Sequence, residues 1–209
     1  MKPREIVPGV YHWRAFHQGI RHEVSSYYLA GPALLLDPLL PAEGFDGGDP
    51  VEWLREQGPP AGVVLSNRHH YRDSGRLADA LDIPVHASEP GMHEFSPEQH
   101  VRPFQFGDEL ADGVVAHEVG AICPDETAFE VRGARALAVA DGVVRFESME
   151  APLGFVPDGL MGDDAEAIKE RLRAAYRRLL ELDFDHLLLA HGDPLVDDGK
   201  VQLQAFLEG

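Results

Sequence analysis

Apolar positions in this chain fall into two kinds of run, short unbroken ones and longer ones interrupted by turn residues. Short, continuously apolar runs are typical of strands buried on both faces of a sheet. The longer runs also predict strands, and Gly31 and Pro32 would fold one of them into a hairpin. Strands are therefore predicted at residues 10–16, 25–36, 63–65, 83–87 and 187–190, with further strands and turns from residue 101 to residue 144.

Three other segments have the features of helices. The first begins after Asp49, a suitable cap, since Pro50 fits the first helical position and Glu52 follows the cap by three residues. The second covers residues 74–81 and the third residues 164–182. The third carries its large apolar residues on one stripe: Ile168, Leu172, Tyr176 and Leu179. Strands that alternate with capped helices in this way indicate an α/β protein with stacked layers.

Length and composition add limits to this picture. A chain of 209 residues, 44% of them hydrophobic, can bury one substantial core, so we expect a single domain spanning residues 1–209. No apolar run is long enough to cross a bilayer, and the first residues lack the apolar segment of a signal peptide. The single cysteine, Cys123, fits a reducing compartment. A cytoplasmic location is therefore expected.

The charge balance bears on the class of partner. Asp and Glu number 36 against 18 Lys and Arg, which gives a formal net charge of −18 at pH 7. Nucleic acids and anionic membranes bind to basic surfaces that neutralise their phosphates. Such an acidic protein is therefore expected to bind neither, and a small-molecule ligand or substrate remains the expected partner.

The most informative segment is the loop at residues 65–75, where an apolar strand ends in Ser66 and leads into a polar, histidine-containing stretch. It resembles the metal-binding loop of the metallo-β-lactamase superfamily, which reads H-x-H-x-D-H after a buried strand. The resemblance extends over nearly the whole chain. Five segments stand in the family's order: residues 7–11, 26–37, 66–75, 137–141 and 188–192. It implies a four-layer αββα sandwich with two mixed sheets and a pocket at one edge.

The resemblance is weaker at the residues that bind metal. Family members hold two zinc ions with histidines and an aspartate of this loop, a histidine of a later loop, a shared aspartate and a closing histidine. Position by position, the chain keeps three of these as candidate metal ligands: His69, Asp141 and His191. Asn67, Tyr71 and Arg72 stand where three others would be. Since the losses fall on both metal sites, the sequence predicts that the two-zinc centre is missing.

The later-loop histidine depends on how one segment is aligned. Counting back from Asp141 by the length of a minimal hairpin places Ile122 at that position. A longer hairpin would place His117 there instead. We favour Ile122, and expect His117 to be an ordinary strand residue.

A hypothesis for what replaces the metal rests on Arg72. Removing a dication while keeping Asp141 would leave a buried carboxylate without a counter-charge, which is costly. A guanidinium is always charged and can bind a carboxylate with two hydrogen bonds. Arg72, alone or with Arg68, is thus a candidate to neutralise Asp141; the alternative is that both arginines face solvent. The residues expected to line the pocket are Asn67, His70, Tyr71, Arg72, Ile122 and Cys123.

Three functional hypotheses follow. The first is a divergent protein without a metal cofactor that binds a small ligand or performs metal-free chemistry in the old pocket. The second is a hydrolase of an ester, thioester or phosphoester with one zinc or iron ion held by His69, Asp141 and His191. The third is a non-catalytic scaffold whose pocket has filled. Asp125 and Glu126 are additional candidates for acid–base chemistry, and Cys123 is a weaker candidate nucleophile.

Overall fold

The first of two sheets has seven strands. The computed structural model describes residues 2–209. The strands are β1 (Arg4–Val7), β2 (Val10–His17), β3 (His22–Leu29), β4 (Leu34–Leu36), β5 (Gly62–Val64), β6 (Val85–Ser88) and β7 (Val101–Phe104), and they lie side by side in that order. Pairing is antiparallel from β1 to β4 and parallel from β4 to β7. The sheet is therefore mixed, as the resemblance implied.

The second sheet has five strands, and one face of it packs against the first sheet. Its strands are β8 (Glu109–Ala111), β9 (Val114–Glu118), β10 (Thr127–Val131), β11 (Ala136–Val139) and β12 (His186–Leu189), in the order β12-β11-β10-β9-β8. Only β11 and β12 pair in parallel. Buried side chains from both sheets, such as Tyr27, Leu36, Phe129 and Leu188, form one apolar core between them.

Among residues 2–209, four α-helices cover the outer faces. Helices α1 (Pro50–Gln57) and α2 (Ser74–Leu81) pack on the first sheet, and α3 (Ala165–Leu179) and α4 (Gly199–Glu208) pack on the second. The layers are thus α, β, β and α, and the predicted fold class is confirmed. No helix among residues 2–209 is long and apolar enough to span a membrane.

Local chemistry explains where the predicted helices begin. The Asp49 carboxylate accepts a hydrogen bond from Val51 N at 2.9 Å, and Asp164 caps α3 in the same way through Ala167 N. The stripe predicted on α3 is buried. Helix α4 has no comparable indication in the sequence, because it lacks a side-chain cap and only Leu203 and Leu207 among its large side chains are buried.

The ends of four strands converge at one edge of the sandwich. Since β4 is parallel to β5 and β11 is parallel to β12, the residues that follow these strands emerge on the same side. They include Asp37, Ser66, Asp141 and His191. Hydrogen bonds between the two sheets fix the edge, such as that from Thr127 N to Ser66 O at 2.8 Å. This edge therefore holds the polar residues that the sequence singled out.

Candidate functional site

Three side chains meet at this edge: His70, Asp141 and His191. Nε2 of His191 lies 2.9 Å from Asp141 Oδ1, and Nε2 of His70 lies 3.3 Å from the same oxygen. The three atoms that could serve as ligands all lie within 4.8 Å of one another. They come from three separate parts of the chain, the loop after β5, the end of β11 and the end of β12.

The spacing of these atoms fits one metal ion. Nitrogen and oxygen ligands lie about 2.0–2.1 Å from zinc, so neighbouring ligands of a tetrahedral ion lie about 3.3 Å apart. The two histidine-to-aspartate distances, 2.9 and 3.3 Å, are close to that value. Two histidines and one carboxylate also form a set that zinc and non-haem iron use. His70, Asp141 and His191 can therefore hold a single ion and leave positions open for other ligands.

His70 is fixed by groups behind it. Its Nδ1 lies 2.9 Å from Asp37 Oδ2 and 2.9 Å from Ser66 Oγ. Asp37 is itself held by Ser66, which donates from its backbone N at 2.8 Å and from its hydroxyl. A carboxylate on one imidazole nitrogen sets the tautomer and leaves the other nitrogen available. Asp37 thus directs His70 Nε2 toward Asp141.

The electrostatics of the group are strongly coupled. Burial alone would lower the pKa of His70, but the carboxylates of Asp37 and Asp141 outweigh it and raise that pKa to about 9. Burial likewise opposes ionisation of Asp141, yet the two neighbouring histidines hold its pKa well below the usual value. The pKa of His191 is lowered, chiefly by burial. Without a metal, the His70 ring is therefore the positively charged imidazolium at neutral pH. A metal ion would have to displace the proton on Nε2 in order to bind there.

Asn67 holds the second oxygen of Asp141. Its Nδ2 donates to Asp141 Oδ2 at 2.7 Å, while its Oδ1 accepts from His69 N at 2.9 Å. The residue is buried behind the carboxylate rather than exposed to a cavity. Asn67 therefore orients Asp141. It does not lie in the pocket wall, where the sequence predicted it to be.

The histidine of the loop differs from the prediction. His70 lies with Asp141 and His191, whereas His69, the candidate chosen by motif position, lies outside the group. The reason is local geometry. Arg68–His70 forms a turn of 3₁₀ helix, in which successive side chains point about 120° apart. A shift of one residue therefore changes which histidine faces the strand ends.

The contacts of Arg72 also differ from the predicted pairing with Asp141. Its Nη1 donates to the backbone carbonyls of Ser25 at 2.9 Å and Asp37 at 2.6 Å, and its Nη2 is buried without a hydrogen-bond partner. Backbone carbonyls therefore bind the guanidinium, while Asn67 and the two histidines satisfy Asp141. The solvent-facing alternative is not seen for Arg72 either. Its charge remains close enough to Asp37 and Asp141 to be attracted by both.

A cavity of about 700 Å³ opens in front of these residues. Histidines and arginines form part of its wall, and apolar side chains form most of the rest. The wall includes His17, Ile20, His22, Val24, Arg68, His69, His70, Arg72, Ile122, Cys123, Asp141, Phe146, Val156, Leu160 and His191. The site is thus an open pocket in which His70, Asp141 and His191 form a polar region, and apolar side chains line most of the remaining wall.

The predicted pocket-lining residues divide into two sets. His70, Arg72, Ile122 and Cys123 lie in the wall, whereas Asn67 and Tyr71 do not. Tyr71 packs instead against Phe95, with ring centroids 5.8 Å apart, and lines a separate surface groove.

Two predicted acid–base candidates lie next to the pocket. Asp125 is buried and paired with Arg68, which also donates its backbone N at 2.6 Å. Glu126 accepts from Gly142 N at 2.7 Å, and burial together with the charge of Asp141 raises its pKa to about 8. Neither carboxylate lines the cavity. Both therefore support the surrounding loops rather than face a substrate.

Cys123 and His117 have limited chemical roles here. Burial, with nearby carboxylates, raises the pKa of the Cys123 thiol far above its usual value, so the thiol stays protonated and is a poor nucleophile. His117 lies on β9, where its Nε2 is 3.3 Å from Glu130 and away from Asp141. Its placement agrees with that of an ordinary strand residue.

Similarity to known proteins lies in the structure alone. No protein-family model and no curated protein matches the sequence. Solved structures do match: the DIM-1 metallo-β-lactamase has 14% identity and a TM-score of 0.71, with 100% of this chain and 98% of that one covered. TTHA1429, a metallo-β-lactamase family protein from Thermus thermophilus, has 17% identity and a TM-score of 0.65 over 96% of this chain and 78% of that one. TTHA1623 in a di-iron-bound form has 18% identity and a TM-score of 0.62 over 98% of this chain and 97% of that one.

These matches cover nearly the whole chain at low identity. Together with the layer order and the position of the polar edge, they define the class: the chain has the metallo-β-lactamase fold, as the sequence predicted. Structural similarity at 14–18% sequence identity shows the fold alone. Because this architecture supports many reactions, the residues of the site rather than the fold decide the function.

Proposed function

We propose that this protein is a hydrolase that uses one divalent metal ion, held by His70, Asp141 and His191. The observation that carries the proposal is the convergence of three ligand atoms within 4.8 Å, with His70 oriented by Asp37 from behind. A carboxylate behind a ligating histidine is the usual outer support of a metal site. The proposal keeps the single-metal hypothesis from the sequence and exchanges His69 for His70.

The reaction class follows from the donor set and the pocket. A zinc or iron ion at such a site supplies a Lewis acid and an activated water, which suits hydrolysis of an ester, thioester or phosphoester. Asp37 keeps a proton on His70 Nδ1, and Asn67 holds Asp141 in place. The apolar wall formed by residues such as Ile122, Phe146 and Leu160 receives the organic part of the substrate. A small-molecule substrate fits this cavity.

Arg72 supports a site for one ion rather than two. In the family motif this position carries a ligand of the second zinc ion; here it carries a permanent positive charge. The guanidinium is held by Ser25 O and Asp37 O, and so it cannot swing out of the pocket without losing two hydrogen bonds. A second dication beside it would be repelled at short range in a poorly solvated site. Arg72 thus replaces the charge of one metal ion.

A second candidate function, metal-free ligand binding, is favoured by a different observation. Asp141 receives N–H groups from Asn67, His70 and His191, so its charge is compensated by the protein's own groups. The pocket would then bind a small ligand through Arg72 and the histidines. The scaffold hypothesis has less support, because the cavity of about 700 Å³ is open.

Metal-dependent hydrolysis is the direct test. Protein stripped with a chelator should take up one equivalent of Zn²⁺ or Fe²⁺, and should then hydrolyse at least one member of a panel of aryl esters, thioesters and phosphodiesters. Activity should vanish with the chelator and return with one equivalent of metal, because only the loaded site activates water. The measurements are elemental analysis and initial rates. Absence of tight metal uptake, with ligand binding retained, would instead favour the metal-free function.

The role of Arg72 gives a separate prediction about stoichiometry. Arg72→His should raise metal uptake from one equivalent to two, because it removes a charge and adds an imidazole at the family's ligand position. Arg72→Lys is the matched control, and should remain at one equivalent because it keeps the charge. Equilibrium dialysis followed by elemental analysis measures both. Two equivalents on the unmodified protein would contradict the proposed one-ion site.

A further inference from the structure

A second, smaller cavity of about 280 Å³ adjoins the main pocket. The two share His22, Phe146 and His191, so they lie side by side, and His191 lines both. The rings of His22 and Phe146 are in contact, with centroids 4.6 Å apart, and form the common wall. Arg145 lies in the small cavity and does not line the large one.

Arg145 is held in position by the segment that carries His191. Its backbone N donates to His191 O at 2.8 Å. Its side chain then crosses Gly192, where a Cβ atom would lie 2.5 Å from Arg145 Cβ. Gly192 also has a φ of +118°, a conformation that side-chain-bearing residues rarely adopt. Glycine at this position therefore allows Arg145 to pack beside His191.

The guanidinium of Arg145 is incompletely satisfied. Its Nε is buried without a hydrogen-bond partner, and its Nη1 makes only a long contact, 3.4 Å, to Asp193 O. The two nearby carboxylates are engaged elsewhere: Arg14 lies 3.5 Å from Glu23 and 3.7 Å from Asp193. Among residues 2–209, no carboxylate forms an ion pair with Arg145. Because Arg145 lines the small cavity and has no ion-pair partner among the described residues, an anion that enters this cavity would meet a cation that is not neutralised by the protein.

We infer that Arg145 binds an anionic group of the substrate, a carboxylate or a phosphate, in the small cavity beside His191. The substrate class is then an acyl or phosphoryl compound with an anionic group on one side of the reacting bond and an apolar group on the other. The apolar group occupies the large cavity, and the reacting bond lies beside His191, which lines both cavities. This inference rests on the proposed function only for the position of the reacting bond.

Arg145 makes the small cavity more favourable for such a group than the rest of the protein surface. The protein carries a formal charge of −18, so an anion is repelled by most of its surface. Arg145 offers a local cation with free hydrogen-bonding capacity, and a guanidinium matches the geometry of carboxylate and phosphate oxygens. Glu23 also lines this cavity, and its pairing with Arg14 limits the repulsion it would otherwise exert.

Calorimetric binding of three matched anilides tests the inference without requiring turnover. Succinanilate carries a carboxylate, butyranilide is its neutral counterpart of equal chain length, and the anilide of 3-phosphonopropanoic acid carries a phosphonate. The unmodified protein should bind at least one anionic anilide about 10- to 100-fold more tightly than butyranilide, as expected for a charged hydrogen bond. The stronger of the two identifies the carboxylate or the phosphate class.

Variants assign the preference to Arg145. Arg145→Gln, which removes the charge and keeps a polar side chain, should reduce the preference to less than about threefold. Arg178→Gln, at an exposed position on α3, should retain it in full. Equal binding of all three anilides, or a preference that survives in Arg145→Gln, would overturn the inference and leave metal-dependent hydrolysis untouched. A preference that depends on Arg145 in a protein without hydrolytic activity would support the subsite and reject the proposed reaction.

Discussion

Replacing His70 with alanine is expected to weaken metal binding by more than about 100-fold, since even the loss of an outer partner of a ligating histidine costs 10- to 100-fold. In the proposed site His70 would be one of three protein ligands, whose ligand atoms lie within 4.8 Å of one another among residues 2–209. Its neighbour His69 lies outside the group. His69→Ala should therefore keep one equivalent of metal and most of the affinity.

The pair of variants is a sensitive comparison because the two residues are adjacent and chemically identical. Competition with a coloured chelator gives the affinity, and elemental analysis gives the number of ions. Circular dichroism at the same concentration checks that His70→Ala is folded. If His69→Ala lost the ion and His70→Ala kept it, His69 would be the loop ligand, as its motif position predicts, and the proposed ligand set would be rejected.

Asp37→Ala is expected to lower the free energy of unfolding by about 3–5 kcal/mol, the usual effect of removing one member of a buried ion pair. Asp37 is buried, and it accepts hydrogen bonds from Ser66 N, Ser66 Oγ and His70 Nδ1. It also attracts the charge on Arg72. The variant would leave two buried cations with Asp141 as their remaining nearby carboxylate.

Urea denaturation of the variant and the parent protein measures this loss. Glu43→Ala is the matched control, because Glu43 is an exposed carboxylate and its removal should change the free energy of unfolding by less than about 0.5 kcal/mol. Asp37→Asn should fall between the two, since the amide oxygen can still accept from Ser66. A loss below about 1 kcal/mol in Asp37→Ala would mean that the network around His70 is not held by this carboxylate.

Much of the fold could be predicted from the sequence because its determinants are local. The helix predicted over residues 74–81 has the bounds that the structure gives to α2, and the predicted cap at Asp49 lies at the start of α1. The unbroken apolar runs form β5 and β12, buried strands of the two sheets. Helix α4 could not be predicted because its burial depends on packing against β12 and α3 rather than on its own pattern.

The candidate site was harder to predict because it depends on side-chain direction. Motif position selects His69, but the 3₁₀ turn after Asn67 points His70 toward the strand ends. Motif position also suggests that Arg72 pairs with Asp141, whereas two backbone carbonyls accept the hydrogen bonds of its guanidinium. No feature of the sequence indicates Arg145, whose position depends on Gly192 and the backbone of His191.

The sequence by itself determined that strands alternate with helices, and its resemblance to the metallo-β-lactamase superfamily implied the αββα layers and the segments that supply polar residues to one edge. Hydrophobic periodicity and helix caps act within a few residues and are visible in the chain. The tertiary structure alone decided which of two adjacent histidines joins Asp141, which groups bind the arginines, and that a second cavity opens beside His191. Those choices depend on distances between residues far apart in the chain, and packing of the two sheets sets those distances.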